Sequence, residues 1–159
     1  LIKIIVQFAC VICVLVVATV ASWYEGSALL DNPWEWKYSA PISQNVHGEI
    51  QSSSQISQFD FFVYAAKHQP IFPFLMMVSF LYFLILIGYF TLKKWDRGFP
   101  SFLICIATML LLGSFVMKDS PTSGGQLFFV FSIILGVAFI VTGSLILSKN
   151  GMQSKAINE

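Results

Sequence analysis

Charge is what this chain has least of. Only 11% of its 159 residues are Asp, Glu, Lys or Arg, against roughly a quarter in an ordinary soluble domain, and the stretches 4–24, 69–92, 98–117 and 120–148 contain none. They contain no His either. A proton relay, a charge-coupled carrier or a bis-histidine haem bundle therefore has no intramembrane groups to use. No serine sits in a nucleophile elbow, and no glycine-rich phosphate loop follows a strand pattern. These absences argue against an enzyme and against a cofactor. The net charge of +1 says nothing useful about nucleic acid, but no basic patch with interleaved aromatics is present on a soluble face, so nucleic acid is not expected as a partner. Cysteine is scarce as well: there are three, none between residues 23 and 70, so no disulfide staples that segment.

What is present is apolar length, with 57% of the residues hydrophobic. A hydrocarbon core about 30 Å thick needs about 20 helical residues, and helix satisfies its own backbone polar groups there. Trimming polar ends from the uncharged stretches predicts spans at 4–22, 71–92, 99–117 and 127–147. Their all-round hydrophobicity leaves no polar face for a soluble bundle. The first span resembles a signal peptide in having Lys3 before it and Thr19-Val20-Ala21 near its end. Its apolar run exceeds a signal h-region, so it is expected to be retained.

Lys and Arg counts set the orientation. One side receives Lys3, Lys93, Lys94, Arg97, Lys149 and Lys155; the other receives Lys37, Lys67 and Lys118. Both termini are expected in the cytoplasm, with a cytoplasmic loop at 93–98 and tail at 148–159, and extracellular loops at 23–70 and 118–126. The predicted fold is an all-α membrane protein, a four-helix transmembrane bundle with a small extracellular cap between its first two helices.

The longer extracellular loop holds five of the eight acidic residues, both histidines and three of the four tryptophans. Trp23 and Tyr24 fall where the first span leaves hydrocarbon, the level at which amphipathic rings sit best. After a turn at Asp31-Asn32-Pro33, residues 34–39 alternate aromatic and polar, a period of two that predicts a short strand. Trp34, Trp36 and Tyr38 would share one face against helix ends or headgroups, with Glu35 and Lys37 facing water. An aromatic cage for a ligand is the alternative. His47-Gly48 is a possible hairpin turn between 42–46 and 49–52. Ser57 then offers an N-cap to an amphipathic surface helix at about 58–68, with Phe59, Phe62, Val63 and Ala66 on one side and Asp60, Tyr64 and Lys67 on another. Trp23, Tyr24, Trp34, Trp36, Tyr38, Phe59 and Phe62 are the candidate contacts for lipid or a partner.

Cys10-Val11-Ile12-Cys13 is a CxxC, and small four-helix membrane thiol oxidoreductases use such pairs. Here it lies about 9–14 Å into the first span, with Cys105 at similar depth in the third, where low dielectric disfavours a thiolate. Packing, redox, metal and lipidation readings of these cysteines stay open. His47, Glu49, Asp60 and His68 match no strong metal-ligand spacing, so no metal site is expected. Ser132, Gly136 and Gly143 form a small-residue stripe on the last span, suited to close helix packing within the chain or to a homo-oligomer.

At WYEGSALLDNPWEWKYSA (23–40), followed by FDFFVYAAKHQPIFP (59–73), the sequence resembles the YjdJ-like family of small Bacillus-type membrane proteins, a family without known function. The resemblance covers about the first ninety residues. It implies a Gram-positive plasma membrane and brings no functional residue. A looser similarity in layout is to claudin-like four-span proteins, whose paired loop cysteines are missing here. The expected role is a non-enzymatic envelope or accessory subunit that recognises a membrane partner or lipid through its extracellular loop. The alternatives are an oligomeric channel or small-solute transporter, and a membrane thiol oxidoreductase using Cys10 and Cys13.

Overall fold

A computed structural model describes residues 2–157, and among these every regular element is a helix, with no strand. Helix α1 (Ile2–Gly26) runs into a 3-10 turn at Ser27–Asp31. A second 3-10 turn at Pro33–Glu35 leads to two short helices, α2 (Trp36–Ser39) and α3 (Pro41–His47). Helix α4 (Gln58–His68) follows, then the long helices α5 (Ile71–Leu92), α6 (Gly98–Met117) and α7 (Ser123–Ile157). Proline punctuates these starts: Pro33, Pro41, Pro73 and Pro100 all lie in a first helical turn, where a missing N–H costs nothing.

Among the described residues, four helices are long and apolar enough to cross a membrane. At 1.5 Å per residue, α7 with its 35 residues reaches about 52 Å, well beyond a hydrocarbon core. The expected tail therefore continues as helix through Ile157, and residues 158–159 lie outside the described residues. Hydroxyls within the apolar helices turn back onto their own backbones: Thr19 Oγ1 donates to Leu15 O at 2.7 Å, Ser79 Oγ to Leu75 O at 2.7 Å and Thr142 Oγ1 to Ala138 O at 2.8 Å. Each donor is thus satisfied where no water is available.

The chain forms two compact units. The first comprises residues up to Leu81 together with Pro121–Gly125. Here α1 crosses α4 so closely that a Cβ on Gly26 would fall 2.0 Å from the Phe61 carbonyl oxygen. Gly124 approaches the other end of α4, where a Cβ would fall 1.9 Å from Ala66 O. Leu29, Ala40, Phe61 and Tyr64 make the buried centre of this cap, with Trp36, Ile50 and Ile56 packed against it. The second unit comprises Tyr82–Ser120 and the rest of α7. Gly136 lies against Leu111 and Ala107 of α6, and Gly143 against Ile104 and Pro100.

The expected strand at 34–39 is not formed. Pro33 supplies the fixed φ of a helical N1 position, and the chain turns helically through Trp36–Ser39 instead of extending. A lone strand would also have left its backbone groups without a partner. The possible hairpin at His47-Gly48 is likewise replaced: α3 runs to His47, and Gly48 follows it at a φ of 74°, a positive value that glycine adopts without a Cβ clash.

Candidate functional site

The cap is built on one buried carboxylate. Helix α3 begins Ala40-Pro41, so its N-cap side chain has no acceptor and Pro41 has no N–H. The next two N–H groups, of Ile42 and Ser43, both donate to Asp60 of α4 at 2.9 Å. The Ser43 hydroxyl also donates to Asp60 Oδ2, and Ser43 Oγ accepts from Ser57 N at 2.7 Å. Asp60 is fully buried. A charge is tolerated there because a helix N-terminus and a hydroxyl surround it.

This reverses the expected face of α4. The helix has the expected bounds, and Ser57 caps it by accepting from Phe59 N at 3.3 Å. However, its buried residues are Asp60, Phe61, Tyr64 and Ala65, while Phe59 is 69% exposed. Of the side that holds Asp60, Tyr64 and Lys67, the first two are inside, Asp60 because it serves another helix, and Lys67 is half-buried.

The aromatic row of the loop divides in the same way. In a helical turn residues four apart share a side, so Trp34 and Tyr38 fall together and Trp36 falls elsewhere. Trp34 is 85% and Tyr38 64% exposed. Trp36 packs inward, its Nε1 donating to Leu29 O at 2.9 Å, while its own carbonyl accepts from Gln44 Nε2 at 2.6 Å. Trp23 packs on Phe61 with ring centroids 6.3 Å apart, Tyr24 is 73% exposed, and Phe62 is half-buried. A cleft of about 400 Å³ is lined by Pro33, Trp36, Lys37, Gln44, Glu49 and Ile50, among others. With Trp36 as its single ring, it is not the several-walled box that a cation cage requires.

A polar clasp closes the start of α5. Glu35, expected in water, accepts from Ser39 Oγ at 2.9 Å and lies 3.4 Å from His68 Nε2. That contact is an ion pair when His68 is protonated. His68 also stacks on Tyr64, with centroids 4.6 Å apart. Lys67 Nζ donates to Tyr38 O and reaches Ser39 Oγ at 3.5 Å. Burial pulls the Lys67 pKa below its ordinary 10.5, against the opposing attraction of Glu35. The Gln69 amide nitrogen, in the orientation that suits both partners, donates to Glu25 Oε1 and Oε2 at 3.1 and 3.3 Å. Asp60 and His68 are thus each held by partners within the cap.

Away from the cap, Cys10, Cys13 and Cys105 are free thiols exposed on their helices. Ser132, Gly136 and Gly143 are buried. The sequence reading missed Asp60 as a cap, Gln44, the Glu35–His68 pair, and the close approaches at Gly26 and Gly124. The sequence does hold one clue: a helix start at Ala40-Pro41 has no local capping side chain, so an acceptor must come from elsewhere.

The family described as "Domain of unknown function (DUF4306)" matches residues 5–92, which span α1, the loop 23–70 and α5. The chain is also 42% identical, over 82 residues, to "Uncharacterized protein YjdJ" of Bacillus subtilis (strain 168). That match covers 50% of this chain and 75% of the relative. No solved structure matches the chain.

Proposed function

Because the chain belongs to the DUF4306 family, which is defined without an activity, we propose its role from the geometry of the cap. The chain acts as a non-enzymatic accessory subunit of the plasma membrane, recognising a membrane partner or lipid through the extracellular cap. One observation carries this reading: the cap satisfies its polar groups internally yet turns Trp34 and Tyr38 outward. Among the described residues no buried side-chain nitrogen or oxygen lacks a partner. A preorganised surface of this kind loses little freedom on docking, and large exposed rings supply contact area at low entropic cost.

Lys and Arg distribution supports an extracellular cap and cytoplasmic termini. The channel reading receives less support, because the hydroxyls that would line a polar path donate into their own helices. The thiol reading receives less still, as Cys10 and Cys13 lie within an apolar helix rather than at its rim.

The test is cross-linking and co-purification of the full chain from native membranes in mild detergent, comparing the parent with the Trp34→Ala/Tyr38→Ala double variant. The expected result is a stoichiometric companion, or a retained lipid, that the variant loses while keeping its helical content. Retention of every companion and lipid by the variant would sink the proposal.

A further inference from the structure

We propose that the connection between α5 and α6, together with the adjoining part of α7, is a binding site for the phosphodiester of an anionic phospholipid. The proposal concerns the second unit and does not rest on the role given to the cap. The connection is ordered by its own backbone: Lys93 N donates to Tyr89 O at 3.0 Å, Trp95 N to Leu92 O at 3.0 Å, and Gly98 N to Trp95 O at 2.9 Å. Asn150 Nδ2 donates to Asp96 O at 2.6 Å, which ties α7 to the connection and brings the neighbouring Lys149 to the same end.

Four cations thereby lie on the connection or on the end of α7 tied to it, Lys93, Lys94, Arg97 and Lys149, with Asp96 as the one carboxylate among them, all solvent-exposed. Lys93 folds back, with Nζ 5.7 Å from the Tyr89 ring centroid and 5.2 Å from that of Phe90. Lys94, Arg97 and Lys149 have no ion-pair partner among the described residues. The connection thus carries more positive charge than its own carboxylate can neutralise, which favours an anion.

The kind of anion follows from what surrounds the charges. The connection joins two helices apolar enough to cross a membrane, which places it at headgroup depth. Trp95, between Lys94 and Asp96, is 69% exposed, a poor arrangement against bulk water and a good one in the interfacial layer. The ligand must offer a phosphate to Lys94, Arg97 and Lys149 and a hydrocarbon tail to the helices beneath. A phospholipid with net negative charge does both, and a planar guanidinium such as Arg97 suits the fork of phosphate oxygens.

Native mass spectrometry of the full chain, released from nanodiscs of equal phosphatidylglycerol and phosphatidylcholine, tests this. The expected result is preferential retention of phosphatidylglycerol. The K94Q/R97Q/K149Q variant should lower that preference at least about tenfold, whereas K118Q, altered outside the site, should not. Asp96→Asn removes the single opposing charge and should raise the preference, which keeps the proposal testable if the triple variant fails to fold. Inorganic phosphate at millimolar concentration should not displace the lipid, since it lacks the tail. Equal retention of the two lipids by the parent, a preference unmoved by both the triple and the Asp96 variants, or displacement by free phosphate would overturn the proposal.

Discussion

Asp60 and Ser43 hold the cap together across 17 residues of sequence, with the Ser43 N–H and hydroxyl both donating to the Asp60 carboxylate. The bond joins two helices neither of which is long enough to be stable alone in water. Helix α3 has no capping side chain of its own, and α4 would bury an uncompensated charge without α3. Each therefore depends on the other, so the cap forms as one unit.

Replacing Asp60 by Ala should release α3 without unfolding α5 or α6. Two backbone N–H groups and one hydroxyl lose a charged acceptor, at a cost of about 3 kcal/mol or more. Hydrogen–deuterium exchange of the chain in detergent is the measurement. Amides of residues 42–47 should lose protection while those of α5 and α6 keep theirs; unchanged protection of α3 would remove Asp60 from this role.

Gly26→Ala should loosen the crossing of α1 and α4. The added Cβ meets a backbone carbonyl oxygen at 2.0 Å, which no rotamer change relieves. The added atom forces displacement, and the usual helix-propensity gain of about 1 kcal/mol for Gly to Ala does not compensate for it. Gly113→Ala, where nothing lies within 4 Å of the new atom, should instead be neutral or stabilising. Thermal unfolding of the two variants distinguishes a close approach from a generic effect of alanine, and similar Tm changes in both would discount the crossing.

The long helices were legible in the sequence because uncharged length is a local property: the stretches 71–92 and 99–117 recur nearly unchanged as α5 and α6. Helix α4 was legible from Ser57 and the residues after it. The cap interior was not, since its determinants are pairs distant in sequence, and a carboxylate reads as exposed until the N–H groups it serves are known. The alternation at 34–39 misled for a specific reason: a period of two over six residues is brief, and one proline at the helical N1 position outweighs it. The inward turn of Trp36 then depends on the Leu29 carbonyl, which no pattern within the segment reveals.

Trp36 and Trp34 should therefore respond differently to substitution. Trp36→Phe removes the donor to Leu29 O and should cost about 1 kcal/mol, more if the packing around Ile50 and Ile56 relaxes. Trp34→Phe changes an exposed ring and should stay within about 0.5 kcal/mol. On a strand the two would share a face and respond alike, so equal losses of thermal stability would revive that geometry.

Lys67 gives the cap a pH dependence of predictable sign. Burial disfavours its charged form more than Glu35 favours it, so its folded pKa lies below the ordinary 10.5 that the unfolded chain retains. Between the folded value and 10.5 the unfolded chain binds more protons, and stability attributable to Lys67 rises with pH. Below that interval both states are protonated and the burial penalty is constant; above it neither carries the charge and the penalty is gone. Lys67→Met removes the titration, and the hydrogen bonds it also removes remain available to a neutral amine, so their loss should be a nearly constant offset. The Tm of the parent minus that of the variant, followed from neutral pH toward 10.5, should climb across this interval. A flat or falling difference would show that Lys67 is not desolvated in the folded cap.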